Sequence, residues 1–149
     1  MGAWGFNQFE NDGALDWLGD FSENQDFAVI DELFDEVLES SASNSFQEGA
    51  DQALVACEII AGSMGNLSKS FPQYFLDKTL AKGVGFSVKI IDFERLKTKL
   101  NPVLRVKALK VLKVITDGQN SYLREAWEES GNFEKWKVEV SDLEKRLMN

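Results

Sequence analysis

Apolar residues return at steps of three and four along nearly the whole chain, and an all-α fold is the arrangement that buries such a pattern. Ala14, Trp17, Leu18 and Phe21 form the first stripe, which Asn11 or Asp12 can cap. Ser22 and Gln25 have capping-box spacing ahead of a second helix, where Phe27, Ile30, Phe34, Val37 and Leu38 oppose Asp31, Glu32, Asp35, Glu36 and Glu39. The polar run from Ser40 to Gly49 reads as a loop. A third helix extends to about Met64 and presents Ala50, Ala53, Leu54, Cys57, Ile60 and Ala61 on a face small enough for close helix approach. Gly62 and Gly65 are its expected stop, and Pro72 suits the first turn of a fourth helix, Phe71 to Lys82, ended by Gly83.

Between Val84 and Asp92 two periods compete. Phe86, Val88 and Ile90 alternate with Ser87 and Lys89 as in a strand, yet Phe86, Ile90, Phe93 and Leu100 also fit a helix. A lone strand has no partner, so helix is the expectation. Pro102 opens the next helix, with Leu104, Ala108, Val111, Leu112 and Ile115 inward until Asp117-Gly118. Asn120 and Asn132 are the expected caps of the final two, the last of which carries Trp136, Val140, Leu143 and Leu147. Caps and breakers together give about six or seven helices in an orthogonal bundle. A length of 149 residues suits one domain, with residues 1–10 an ordered tail packed on the bundle through Trp4, Phe6 and Phe9, beside Trp17.

Charge is distributed unevenly along this bundle. Residues 1–68 hold 14 Asp and Glu and no Lys or Arg, whereas the remainder carries 11 acids and 16 bases, so −14 and +5 give the net −9. The simplest consequence is that the basic part folds back onto the acidic part. The sharper one is an exposed acidic face that attracts a basic protein at enhanced rate. Lys97, Lys99, Arg105, Lys107, Lys110 and Lys113 form the strongest basic run. With a net charge of −9 and no recognisable recognition motif, that run reads as a solvated or internally paired face and not as a nucleic-acid surface.

Three stretches carry a family resemblance. The opening runs Gly2-Ala3-Trp4-Gly5, Phe9-Glu10-Asn11-Asp12 and Ala14-Leu15-Asp16-Trp17; a small-residue helix follows at Ala53–Ala61 with Glu58 inside it; Ser121–Glu129, Trp136, Asp142-Leu143 and Arg146-Leu147 close the chain. In these stretches the chain resembles the bacterial family called domain of unknown function 4259. Phe6 and Gln8 stand where small residues are common in it, Cys57 replaces an expected alanine, and the stretch from Val84 to Leu100 carries no recognised motif. The resemblance implies a compact helical domain and supplies no catalytic residue.

Absences narrow the chemistry. There is no histidine, so the usual general base, the Ser-His-Asp and Cys-His triads and the commonest metal ligand are missing. Cys57, the only cysteine, cannot form an intrachain disulfide, and beside Glu58 on an apolar stripe it reads as buried and inert. Glu10-Asn11-Asp12-Gly13 has the look of a calcium loop, but aligning Gly13 with the loop glycine leaves Gln8 and Gly19 where acids belong. No apolar run is long enough to span a membrane, and Phe6 replaces the hydroxyl residue that myristoylation at Gly2 requires.

The expectation is an acidic, cytoplasmic, bacterial, non-enzymatic module that binds a basic protein through Asp31, Asp35, Glu36 and Glu39. Its concrete form is an immunity or antitoxin-like inhibitor. No catalytic residue, cofactor, metal, nucleic acid or membrane is expected. Trp4, Phe9, Asn11, Asp12, Asp16, Trp17, Glu58, Arg124 and Trp127 are read as motif and structural residues, with Glu58 locking the N-terminal segment through Arg124 or that segment's own amides and indole. The alternatives are a metal-dependent hydrolase using Asp12, Asp16 and Glu58, and a self-association module.

Overall fold

Why a helix should consist largely of Ala, Gly, Val and Ile becomes clear once its neighbours are seen. In the computed structural model, which describes residues 5, 7–42, 49–84, 88–117 and 121–149, helix α3 (Ala50–Ser63) is buried continuously from Ala53 to Ser63. It packs against α1 (Asp12–Asn24), α2 (Phe27–Ala42), α5 (Phe93–Lys99), α6 (Pro102–Asp117) and α8 (Phe133–Met148). Small side chains all round let those helices approach. At Gly62 a Cβ would lie 2.6 Å from the Phe93 ring and 2.8 Å from Leu67, so this glycine makes room for α5 and its neighbouring loop and does not end the helix. Gly65, at φ +91°, follows the last turn.

The fold is all-α, and no strand occurs among the described residues. A 3-10 turn (Gln73–Phe75) and the short helices α4 (Lys78–Ala81) and α7 (Tyr122–Ser130) complete it. Among the described residues there are eight α-helices, slightly more than the expected six or seven. The stripes of α6 and α8 are buried at every residue expected there: Leu104, Ala108, Val111, Leu112 and Ile115, then Trp136, Val140, Leu143 and Leu147.

Boundaries depart from expectation where side chains chose a different backbone partner. Asn11, not Asp12, caps α1 by accepting from the Ala14 N–H at 3.1 Å. The Ser22–Gln25 capping box does not form, because Ser22 is inside α1 and donates to Gly19 O at 2.6 Å. Gln25 takes the left-handed conformation (φ 49°) that closes α1, and Asp26 accepts from the Ala28 N–H as α2 begins. The Gln25 amide then accepts from Asp92 N and donates to Ile90 O, both at 2.8 Å. With Ile91 N donating to Phe75 O, these bonds hold residues 88–92 out of helix, contrary to the helical expectation; Phe86 and Ser87 lie outside the described residues.

The single helix expected over Phe71–Lys82 is also broken. Asp77 accepts from the Thr79 N–H at 2.8 Å and so starts a new helix after the 3-10 turn. Ser121 caps α7 through the Arg124 N–H, whereas Asn132 precedes α8 without a side-chain cap; Asn120 lies outside the described residues. Helix α2 runs on through Ser40 to Ala42, into the expected loop.

Candidate functional site: an acidic face and an acidic crevice

Glu58 stands in the middle of α3 with 1% of its side chain exposed. Arg146 of α8 grips it with Nη1 to Oε1 at 2.6 Å and Nη2 to Oε2 at 2.9 Å, while Gln8 Nε2 donates to Oε2 at 2.9 Å. Burial pushes the Glu58 carboxyl up from its ordinary range, and the guanidinium and the Gln8 amide pull it back. The expected partner, Arg124, is elsewhere: it pairs with Glu128 at 2.7 Å and lies over the Phe133 ring. Glu58 therefore does reach the N-terminal segment, through Gln8, but its base comes from α8. Asn66 donates to Arg146 O and Asp142 accepts from Arg146 Nε, which fixes the arginine in place.

On the opposite side of the charge ledger, α1 and α2 bear Asp12, Asp16, Asp20 and Glu23, then Asp31, Glu32, Asp35, Glu36 and Glu39, and no base. Lys107 of α6 sits between Asp31 (2.5 Å) and Asp35 (2.8 Å), and Lys89 meets Glu23 at 3.1 Å. The two carboxylates raise the Lys107 pKa. Asp12, Asp16, Asp20, Glu32, Glu36 and Glu39 are exposed. Asp12 and Asp16 are thus not brought together with buried Glu58, and no group of three metal-ligating side chains occurs among the described residues. Cys57 is fully buried beside Ala108 O, with burial and the Glu58 charge raising its thiol pKa well above the ordinary value.

A crevice of about 20 Å³ separates the N-terminal segment from the first turn of α3 and from α7 and α8. Gln8, Glu10, Asn11, Asp51, Trp127 and Trp136 line it. The Glu10 carboxylate accepts from Asn7 Nδ2 at 2.6 Å and occupies the space that a Cβ at Gly5 would need. Asp51 accepts from the Tyr122 hydroxyl at 3.3 Å; burial raises its pKa against the lowering effect of hydrogen bonds from Tyr122 and Asn11. Nearby Glu139 is raised too, by burial first and then by the charges of Asp142 and Glu10. Trp127 and Trp136 stack at 6.4 Å, Phe9 packs edge-on against Phe71, and Trp17 stacks on Phe21. Trp4 and Phe6 lie outside the described residues.

The model of a family described as Domain of unknown function (DUF4259) matches residues 2–139. The chain belongs to this family. Comparison with curated proteins and with solved structures finds no match. All three stretches that carry the DUF4259 resemblance meet at the crevice: Asn11 from the opening, Leu54 from the small-residue helix, Trp127 and Trp136 from the closing helices. Sequence reasoning did not single out Gln8, Asp51 or Arg146 for the roles they take. Arg146 carried a signal all the same, since it flanks the core positions Leu143 and Leu147 and sits four residues after Asp142.

Proposed function

We propose that the chain is a non-enzymatic protein-binding module whose α1–α2 surface receives a basic protein, in the manner of an immunity or antitoxin-like inhibitor of a bacterial, cytoplasmic target. The observation that carries the reading is the charge on two consecutive helices, which hold nine acids and no base, with Lys89 meeting Glu23 and Lys107 meeting Asp31 and Asp35. Like charges at four-residue spacing, as at Asp12/Asp16/Asp20 and Glu32/Glu36, repel and lower helix stability by a few tenths of a kcal/mol per pair. A basic partner relieves that repulsion and is drawn in by the summed field. Because Lys107 already engages Asp31 and Asp35, the contact falls mainly to the exposed Glu32 and Glu36 with the α1 row beside them in sequence.

Affinity capture from the native organism, at low and moderate salt, tests this. A basic protein retained by wild type and lost when Glu32, Glu36 and Glu39 are changed to Gln and Asp12, Asp16 and Asp20 to Asn is the expected result. Equal retention by both proteins, or capture that does not weaken with salt, overturns it.

A further inference from the structure

Gln8, one of the residues lining the crevice, carries an acceptor for which the described residues supply no donor. Gln8 is 6% exposed, and its Oε1 is a buried side-chain oxygen with no hydrogen-bond partner among the described residues. The amide cannot be turned over to repair this. Its Nε2 donates to Glu58 Oε2 at 2.9 Å and to Glu139 O at 3.4 Å, and exchanging the two ends would set an oxygen against two acceptors. The same crevice is lined by Glu10 and Asp51 and, among the described residues, by no Lys or Arg. Both indoles, Trp127 and Trp136, border it. Burial raises the pKa of Asp51, and burial, then the charges of Asp142 and Glu10, raise that of Glu139 against the lowering effect of Arg146.

Size selects the ligand further. About 20 Å³ admits a group the size of a water molecule, and an ammonium is of that size. A water would satisfy Gln8 Oε1 but leave the two carboxylates uncompensated. A primary ammonium brings three donors and a positive charge to three acceptors, next to aromatic rings that favour cations. We propose that this crevice is a binding site for a primary ammonium group, the ε-ammonium of a lysine presented by the basic partner. The proposal rests on the reading of the acidic surface and gives that surface its anchor point.

Titration of the full chain with n-butylammonium, a lysine side-chain mimic, is the test, followed by the NMR signals of the Gln8 side-chain amide and by tryptophan fluorescence. A saturable shift of the Gln8 amide is expected, with affinity at least about tenfold weaker for n-butanol, n-butylguanidinium and tetramethylammonium, and similarly weaker in Asp51→Asn. Should Asp51→Asn fail to fold, the ligand series on wild type decides. No saturable response, or n-butanol binding as well as n-butylammonium, overturns the proposal in favour of a site for water alone. Neutralising Glu32, Glu36 and Glu39 should abolish capture of the partner yet leave n-butylammonium binding intact. Capture of a basic protein by a chain that ignores n-butylammonium overturns this inference and leaves the surface reading standing.

Discussion

Two of the charge clusters that tie the acidic first part of the chain to the basic remainder lie at very different depths. At Glu58 and Arg146 the side chains are 1% and 16% exposed, the contact is bidentate, and Gln8 occupies a further lone pair. At Lys107 the two carboxylates of Asp31 and Asp35 are 50% and 52% exposed and share one ammonium. A buried pair acts chiefly through what happens when it is broken, because the surviving charge has no water to return to. An exposed pair loses little when broken, since solvent replaces the partner. The first cluster belongs to the fold and the second to the surface.

The largest effect should therefore come from Arg146→Met. Stranding the Glu58 carboxylate is expected to destabilise the protein by about 3–5 kcal/mol, read from the urea midpoint. Adding Glu58→Gln to that variant should recover much of the loss, since a neutral amide no longer needs a cation. A loss under about 1 kcal/mol for Arg146→Met, on the scale of an exposed pair, removes the distinction between the clusters.

Gln8→Leu probes the same node more gently. It forfeits a hydrogen bond to a charged acceptor, a contribution of about 1.5–3 kcal/mol, while abolishing an orphaned oxygen whose burial costs about 1–3 kcal/mol. The two offset, and a net loss near 1 kcal/mol is expected by the same denaturation measurement. A loss matching that of Arg146→Met makes Gln8 as important a partner of Glu58 as the arginine.

This node also shows what could be read in advance. Glu58 was legible as a buried acid because Ile59, Ile60 and the surrounding alanines leave no polar face on α3. Its base was not, because the pairing spans 88 residues of sequence and depends on how α8 lies across α3, which no local period encodes. The stripes of α6 and α8 were legible for the opposite reason: period 3.6 with a proline or polar start is a local property. Segments failed where a side chain reached backbone far away. Gln25 bonds to Ile90 O and Asp92 N, and that contact decided both the end of α1 and the extended path of 88–92. On the surface, the acids of α2 were visible as a row, but only the packing of α2 on α6 revealed that Lys107 takes two of them.

Asp51 is the intermediate case, a largely buried acid that no base meets among the described residues. Its folded pKa lies above the ordinary 3.8, so the folded state holds the proton more firmly than the unfolded chain. The contribution to stability is complete below 3.8 and is lost as pH rises through the folded value. Asp51→Asn does not titrate and should therefore gain on wild type as pH climbs from 3.8 upward, a trend followed by thermal melts across the acid range. A gap that stays constant with pH places Asp51 with the exposed acids.

Lys107→Met should have the smallest effect on stability and an effect of the opposite sign on binding. Because the Asp31 and Asp35 side chains are half exposed, removing the lysine is expected to cost under about 1 kcal/mol. It also returns two negative charges to the α2 surface. If that surface steers a basic protein, the association rate rises several-fold at low ionic strength, whereas dissociation changes little for charges at the rim of a contact. The gain should vanish near 1 M salt, where the screening length is about 3 Å. Stopped-flow association of the captured partner over a salt series measures this. A slower or unchanged rate at low salt means that Lys107 belongs to the contact itself, and the division between a structural and a functional ion pair then has to be drawn elsewhere on α2.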